Sequence, residues 1–167
     1  MKISKSILAV AFLASITSFA QASETSPSNN FFGGVSVGSF GISGSDESSS
    51  TAYGVTGGYR HYITDEFSAD ATVSYIGTNS DSSDKFIIPT VGIAYDYRLS
   101  NGVVIRPKAG IGYHFDKYDG GSDSNPAYRI GVEVDFKKNF TAGLDFTSLK
   151  GNNSTGNLIT TSLSYKF

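Results

Sequence analysis

His61 and His114 are the only two histidines in the sequence, and His114 lies two residues before a carboxylate, Asp116. A serine nucleophile needs a histidine to take its proton and a third group to orient that histidine. Serines follow in the segment "DKYDGGSDSN", so a His–Asp–Ser grouping is one hypothesis for this region. His114 is its single candidate base, because His61 falls on the apolar side of its segment.

Carboxylates in the same segment raise the question of a metal site. Asp116, Asp119 and Asp123 surround a glycine pair, and carboxylate oxygens suit Ca²⁺. Their spacing does not match an EF-hand loop. The sequence has no cysteine, which removes disulfides and cysteine-ligated metals. We expect a solvated acidic loop here, with no metal and no cofactor.

The elements that carry these residues show a two-residue period. In Tyr128–Lys137, "YRIGVEVDFK", apolar or aromatic residues alternate with charged residues and glycine. This alternation predicts a strand with one apolar and one polar face. A slip of one residue would exchange the two faces, so the register is well defined.

The same period predicts eight strands, with no sustained helical pattern after Phe31. The predicted ranges are Asn30–Ser43, Thr51–Ile63, Phe67–Thr78, Lys85–Leu99, Val103–Phe115, Ala127–Lys137, Phe140–Lys150 and Asn157–Phe167. Most exceed the five or six residues usual in soluble proteins. A membrane-spanning strand needs roughly nine to eleven. Strand length therefore favours a membrane barrel.

Short and long connections alternate along the chain. Thr64–Glu66, Ser100–Gly102 and 138–139 are short, and Asn101-Gly102 suits a tight hairpin. The other four connections are longer and rich in Ser, Asp, Gly and Asn. Bacterial outer-membrane barrels have short periplasmic turns and longer extracellular loops. We predict an all-β fold, an eight-stranded antiparallel up-and-down transmembrane barrel over 30–167.

In such a barrel the charged face of each strand lines the lumen. Twelve charged or titratable residues are expected there: Arg60, Asp70, Asp96, Arg98, Arg106, Lys108, His114, Arg129, Glu133, Asp135, Asp145 and Lys166. An eight-stranded barrel is just wide enough for side chains to fill it. Because buried charges are costly unless paired, we expect a structural polar network. The alternative is a narrow, gated ion path that uses switching partners among Arg98, Arg106, Glu133 and Asp135.

The N-terminus has the features of an export signal. Lys2 and Lys5 precede an apolar run, Ile7–Ile16, and Ala20-Gln21-Ala22 is a small-x-small cleavage site. We expect residues 1–22 to be a cleaved signal peptide and 23–29 a short leading segment. The formal net charge of the whole sequence is −2, which gives no reason to expect a nucleic-acid partner.

The chain resembles the small eight-stranded bacterial outer-membrane barrels of the OmpA-transmembrane-domain, OmpX and Ail type. Two segments carry this resemblance, the opening "NNFFGGVSVGSFG" and the closing strand "NLITTSLSYKF". In that family the last strand has an aromatic third from its end and a final phenylalanine, the places of Tyr165 and Phe167. The resemblance implies that the barrel-assembly machinery recognises this pair as an assembly signal. The sequence lacks the tryptophans that the family often uses at the membrane interface.

The resemblance implies a monomer in the outer membrane, in contact with lipid and lipopolysaccharide. Its role would be structural, in membrane integrity, or in surface adhesion to a host or matrix ligand through the long loops. Some barrels modify lipid A, and their deacylases pair His and Ser two residues apart on one outward strand face. His114 is followed by Phe115 and Asp116 instead. We therefore expect no catalytic residues and keep a lipid-A-modifying enzyme as the weakest alternative.

Overall fold

Eight strands make up the part of the chain that the computed structural model describes, which is residues 30–43, 49–79, 85–118, 121–137, 139–151 and 154–167. The strands are β1 (Asn30–Ile42), β2 (Ser50–Tyr62), β3 (Phe67–Thr78), β4 (Lys85–Tyr95, continued after Asp96 by Tyr97–Arg98), β5 (Val104–Tyr118), β6 (Gly121–Lys137), β7 (Phe140–Lys150) and β8 (Thr155–Lys166). The expected signal peptide and the segment 23–29 lie outside these ranges. No helix in the described residues is long and apolar enough to cross a membrane.

The strands close into a barrel. Each strand pairs antiparallel with the next one along the chain, and β8 returns to pair with β1, where Val35 lies opposite Leu163. Closure gives every strand two neighbours and leaves no open sheet edge. Phe167 follows β8 and extends the seam, because its N–H donates to the Phe31 carbonyl at 2.9 Å. The predicted all-β, eight-stranded up-and-down barrel is confirmed.

Three short connections lie at one end of the barrel, which we call the short-turn end. Between β4 and β5, Gly102 has φ = 79°, a left-handed conformation that favours glycine. The Gly102 N–H donates to the Leu99 carbonyl at 2.9 Å, and the Asn101 side-chain oxygen accepts from the Val103 N–H at 3.2 Å. The predicted Asn-Gly turn is therefore the turn that joins these strands.

The connection between β5 and β6 differs from the prediction. A long loop was expected over 116–126, but the ladder continues to the pair Tyr118↔Gly121. The hairpin therefore extends beyond the predicted strand ends, and only residues 119–120 separate the strands. The sequence there is Asp-Gly, a pair that two-residue hairpins favour. The alternation of short and long connections thus has an exception at the connection between β5 and β6. The end of the barrel opposite the short-turn end carries this connection and the other three, and we call it the mouth end.

The outer face is apolar and is bordered by aromatic residues at both ends. Exposed Val and Ile side chains form its middle, including Val35, Val73, Val91, Ile111 and Ile130. Rings near the short turns pack in pairs, with centroids 4.8 Å apart for Phe31–Tyr59, 4.9 Å for Phe67–Tyr95 and 5.2 Å for Phe140–Tyr165. Exposed rings toward the mouth end belong to Tyr53, Tyr75, Tyr113, Phe115 and Tyr128. This is the band and two girdles of a transmembrane barrel.

Two glycines on opposite faces of the wall offer a matched test of packing. A Cβ at inward-facing Gly112 would overlap the carbonyl oxygen of Pro89, whereas a Cβ at outward-facing Gly57 would meet nothing within 4 Å. We expect Gly112→Ala to lower the free energy of unfolding by about 1–3 kcal/mol, as overpacking does. Gly57→Ala should change it by less than about 0.5 kcal/mol. Urea titration of the two refolded variants measures both values, and equal losses would contradict the close approach at Gly112.

Candidate functional site

Among the described residues, ten charged side chains lie in the lumen near the short-turn end, and we call them the ion-pair layer. Five are cations and five are carboxylates: Arg60, Arg106, Lys108, Arg129 and Lys166, with Asp70, Asp96, Glu133, Asp135 and Asp145. They come from all strands except β1, because each strand turns alternate residues inward. Charge is therefore balanced within the layer, as burial in a narrow lumen requires.

Arg106 is the centre of the layer, with a side chain only 1% exposed. Its Nε and Nη2 donate to the two oxygens of Asp96 at 2.5 and 2.9 Å, a bidentate pair. Its Nη2 also donates to Asp135 at 3.0 Å and to the Tyr62 hydroxyl at 3.0 Å. Its Nη1 donates to Glu133 at 3.3 Å. One guanidinium thus joins residues from β2, β4 and β6.

Glu133 is the second junction. Its carboxylate lies 2.8 Å from Lys108 Nζ, 2.9 Å from Arg60 Nη2 and 3.3 Å from Arg106 Nη1. Lys108 also donates to Asp145 at 3.1 Å. Because Arg60 and Glu133 come from β2 and β6, on opposite sides of the barrel, the network spans the whole lumen.

The remaining members complete the network. Arg60 and Arg129 lie 3.3 and 3.4 Å from Asp70, and Lys166 lies 2.8 Å from Asp135. The Thr141 hydroxyl donates to Asp135 at 2.6 Å. All ten charges therefore belong to one connected network, in which every carboxylate has a cation within 3.4 Å.

Glycines make room for these long side chains. A Cβ at Gly92 would lie 3.0 Å from the Asp70 carboxylate, and a Cβ at Gly131 would overlap the carboxylate of Asp145. At Gly143 a Cβ would instead lie 2.6 Å from the Ser162 hydroxyl oxygen. Gly92 and Gly131 thus give space to carboxylates of neighbouring strands.

Two members of the expected lumen set lie outside the ion-pair layer. The prediction that Arg98 lies in the lumen is wrong. Its side chain is 38% exposed at the rim, lies 3.7 Å from Asp96 and donates to the backbone oxygen of Asp65 at 3.2 Å. It lies in the two-residue continuation of β4, beyond the part of the strand that covers the lumen. His114 is buried, but at the mouth end, far along β5 from Arg106.

A small chamber lies above the ion-pair layer. It is a cavity of about 50 Å³, lined by charged residues of the ion-pair layer, by apolar side chains such as Phe32 and Ile76, and by nine Ser or Thr residues. These nine are Ser36, Thr56, Thr72, Ser74, Thr90, Thr147, Thr160, Ser162 and Ser164. Some hydroxyls pair with one another, Thr72 with Thr90 at 2.6 Å and Thr56 with Ser74 at 2.8 Å. Arg129 Nε and Ser36 Oγ are buried beside the chamber and have no hydrogen-bond partner among the described residues.

An apolar cluster that the sequence reasoning missed fills the lumen above the chamber, and we call it the apolar plug. Its members are Phe40, Ala52, Ile76, Phe86, Ile88, Ala127, Leu149 and Leu158. Seven of the eight strands contribute to it, all except β5. The rings of Phe40 and Phe86 lie 5.2 Å apart, although β1 and β4 are not neighbours. The signal was present, because these residues occupy inward positions of the two-residue period.

Above the plug the lumen opens at the mouth, a cavity of about 290 Å³ lined by Lys85, His114, Asp116, Ser154 and several plug residues. His114 Nδ1 lies 2.7 Å from the Asp116 carboxylate, and its Nε2 lies 2.8 Å from the carbonyl of Lys150. Both ring nitrogens are thus engaged by acceptors, and neither contacts a serine among the described residues.

The structure describes only part of the acidic segment 116–125. No group of three or more His, Cys, Asp or Glu side chains in the described residues could hold a metal ion. Asp116 is directed to His114, and Asp119 lies outside the described residues.

The chain matches a family model. The model describes an outer membrane protein β-barrel domain and matches residues 6–167. The chain belongs to this family. As an outer-membrane barrel, its apolar band faces lipid, and its short turns correspond to the periplasmic turns of such proteins.

Solved structures support the fold. Neisserial surface protein A aligns with a TM-score of 0.60 at 13% identity, over 83% of this chain and 97% of that one. The attachment invasion locus protein Ail of Yersinia pestis, in complex with the heparin analogue sucrose octasulfate, aligns with a TM-score of 0.53 at 16% identity, over 83% and 97%. A de novo designed transmembrane β-barrel aligns with a TM-score of 0.51 at 20% identity, over 83% and 95%. Among curated proteins, none matches the chain in sequence.

Proposed function

We propose that this chain is a non-enzymatic, sealed outer-membrane barrel. Its role is structural, in membrane integrity, or in surface contact through the connections at the mouth end. One observation carries the proposal: two layers of side chains close the lumen, a charge-balanced ion-pair layer and, above a small chamber, an apolar plug. A barrel of this size has no room for a free aqueous path once such side chains fill it.

The alternative of a gated channel is tested by recording from the refolded protein in a planar bilayer. We expect a flat current trace at high voltage and high salt. Stable, step-like conductance of the wild-type protein would overturn the sealed-barrel proposal. Folding is checked on the same sample, because an intact barrel migrates differently in a detergent gel before and after boiling.

The geometry at His114 supports the absence of catalysis. A general base needs a ring nitrogen that can accept the nucleophile's proton, but both nitrogens of His114 are held by Asp116 and the Lys150 carbonyl. We expect cells that produce wild-type protein, His114→Ala protein or no protein to have identical lipid A. Mass spectrometry of extracted lipid A measures this, and a modification that depends on His114 would restore the enzyme hypothesis.

Charge at the mouth end informs the adhesive form of the proposal. The segments 43–50, 79–85, 116–125 and 150–155 contain seven carboxylates and three lysines. The carboxylates are Asp46, Glu47, Asp81, Asp84, Asp116, Asp119 and Asp123, and the lysines are Lys85, Lys117 and Lys150. Ail was solved with a heparin analogue, but a polyanion would meet net negative charge here. A host or matrix ligand of this chain would therefore be neutral or cationic.

Biogenesis completes the proposal. Residues 1–22 direct export, the barrel-assembly machinery inserts the chain through Tyr165 and Phe167, and the folded protein is a monomer among lipid and lipopolysaccharide. Exposure of Tyr165 and Phe167 beside the β1–β8 seam supports the assembly step.

A further inference from the structure

We propose that the apolar plug, rather than the ion-pair layer, is the barrier that stops water and small ions in the lumen. On either side of the plug the lumen is polar and contains a cavity, so the barrel has a latent path for small inorganic ions that is closed at one level. This inference rests on the proposed sealed barrel, and it assigns the barrier to one level of the lumen.

The plug is a single layer between two cavities. Ile76, Ile88 and Leu158 line the chamber below it. Phe40, Phe86 and Leu149 line the mouth above it. Since the plug residues line both the chamber and the mouth cavity, the plug is the only layer of the described lumen between these two cavities.

The chamber below the plug has the properties of a hydrated site. Its volume of about 50 Å³ exceeds the roughly 10–15 Å³ that one water needs. Arg129 has a side chain 10% exposed, and its Nε lacks a hydrogen-bond partner beside this space, as does the Ser36 hydroxyl. Buried donors of this kind are commonly satisfied by ordered water. Water in the chamber would hydrogen-bond to the hydroxyl groups that line it.

The ion-pair layer is a weaker barrier than the plug for a physical reason. Its charged groups can exchange partners and can bind water, because Glu133 already contacts three cations and Asp135 contacts two. The plug offers no hydrogen-bonding side chain, and a narrow apolar constriction excludes water and ions by dewetting. Phe40 and Phe86 close this constriction across the lumen.

The test compares two plug variants of nearly equal size and different polarity. Phe86→Gln with Ile88→Thr makes one strand of the plug polar, and Phe86→Leu with Ile88→Val keeps it apolar. In planar-bilayer recordings we expect the polar pair to conduct at least about tenfold more than the apolar pair. Both samples must show the heat-dependent gel shift of a folded barrel.

A thiol reporter gives a second measurement that does not depend on single-channel recording. The sequence has no cysteine, so Thr160→Cys places a single thiol in the chamber wall. With a membrane-impermeant thiol reagent added on the mouth side, labelling should be at least about tenfold faster in the polar pair than in the apolar pair. If the polar pair does not fold, Ile76→Thr against Ile76→Val provides the same comparison at one position.

Equal conductance and equal labelling of the polar and apolar variants would overturn the assignment of the barrier to the plug. So would conductance of Glu133→Gln with the plug intact, because the ion-pair layer would then be the seal. Conductance of the wild-type protein would instead refute the proposed sealed barrel, so the two failures are distinguishable.

Discussion

Arg106→Met is expected to lower the free energy of unfolding of the refolded barrel by about 3–5 kcal/mol, the loss typical when one partner of a buried ion pair is removed. The side chain is 1% exposed and lies against Asp96, Glu133 and Asp135. Methionine has no donors to replace the guanidinium, so three buried carboxylates lose their common cation. Urea titration in lipid, followed by circular dichroism, measures the effect without a tryptophan, which the sequence lacks.

Arg98→Met is the matched control for that substitution. Arg98 carries the same group in the same half of the barrel, but its side chain is 38% exposed and lies 3.7 Å from its nearest carboxylate. Exposed ion pairs contribute about 0–1 kcal/mol, so the control should be nearly neutral. Combining Arg106→Met with Asp135→Asn should recover part of the loss, because the excess buried charge is reduced. If Arg106→Met and Arg98→Met destabilised the barrel equally, the buried contacts of Arg106 would contribute no more to stability than the exposed contacts of Arg98.

The strands could be predicted from sequence because the membrane imposes a strict pattern on them. Each outward position meets lipid and each inward position meets the lumen, so Tyr128–Lys137 alternates without interruption. The part of the β5–β6 hairpin nearest the mouth end was not predicted, because the membrane does not impose this pattern there. Beyond the membrane neither face must be apolar, and "DKYDGGSDSN" keeps the hydrogen-bonded ladder without the alternation.

The members of the ion-pair layer could be predicted as a group, but their partners could not. Inward position follows from the two-residue period, whereas the contact of Arg60 with Glu133 depends on barrel width and on the stagger of distant strands. Arg98 was misplaced because the period says which face a residue occupies, and not whether the strand still covers the lumen at that height. The apolar plug was not predicted, because the period places Phe40 and Phe86 inward but does not show that rings from two distant strands meet across the lumen.

Phe167→Ala is expected to reduce assembly into the outer membrane several-fold while leaving the stability of the folded barrel almost unchanged. The folded structure explains why the stability should be almost unchanged. Phe167 is 79% exposed, and its seam hydrogen bond to the Phe31 carbonyl uses the backbone N–H, which alanine retains. Little apolar burial is therefore lost on substitution, and the free energy of unfolding should fall by less than about 1 kcal/mol.

The assembly effect needs a control that shares the aromatic girdle but not the position directly after β8. Phe31→Ala serves, because Phe31 is 65% exposed at the same end of the barrel and packs against Tyr59 as Phe167 packs against Tyr165. The measurement is the fraction of protein in outer-membrane fractions that shows the heat-dependent gel shift, together with urea titration of each variant after refolding. A reduced yield for Phe167→Ala alone would identify recognition during biogenesis, since the folded barrels would be equally stable. Equal yields for Phe167→Ala, Phe31→Ala and wild type would show that the ring of Phe167 is only an interface anchor.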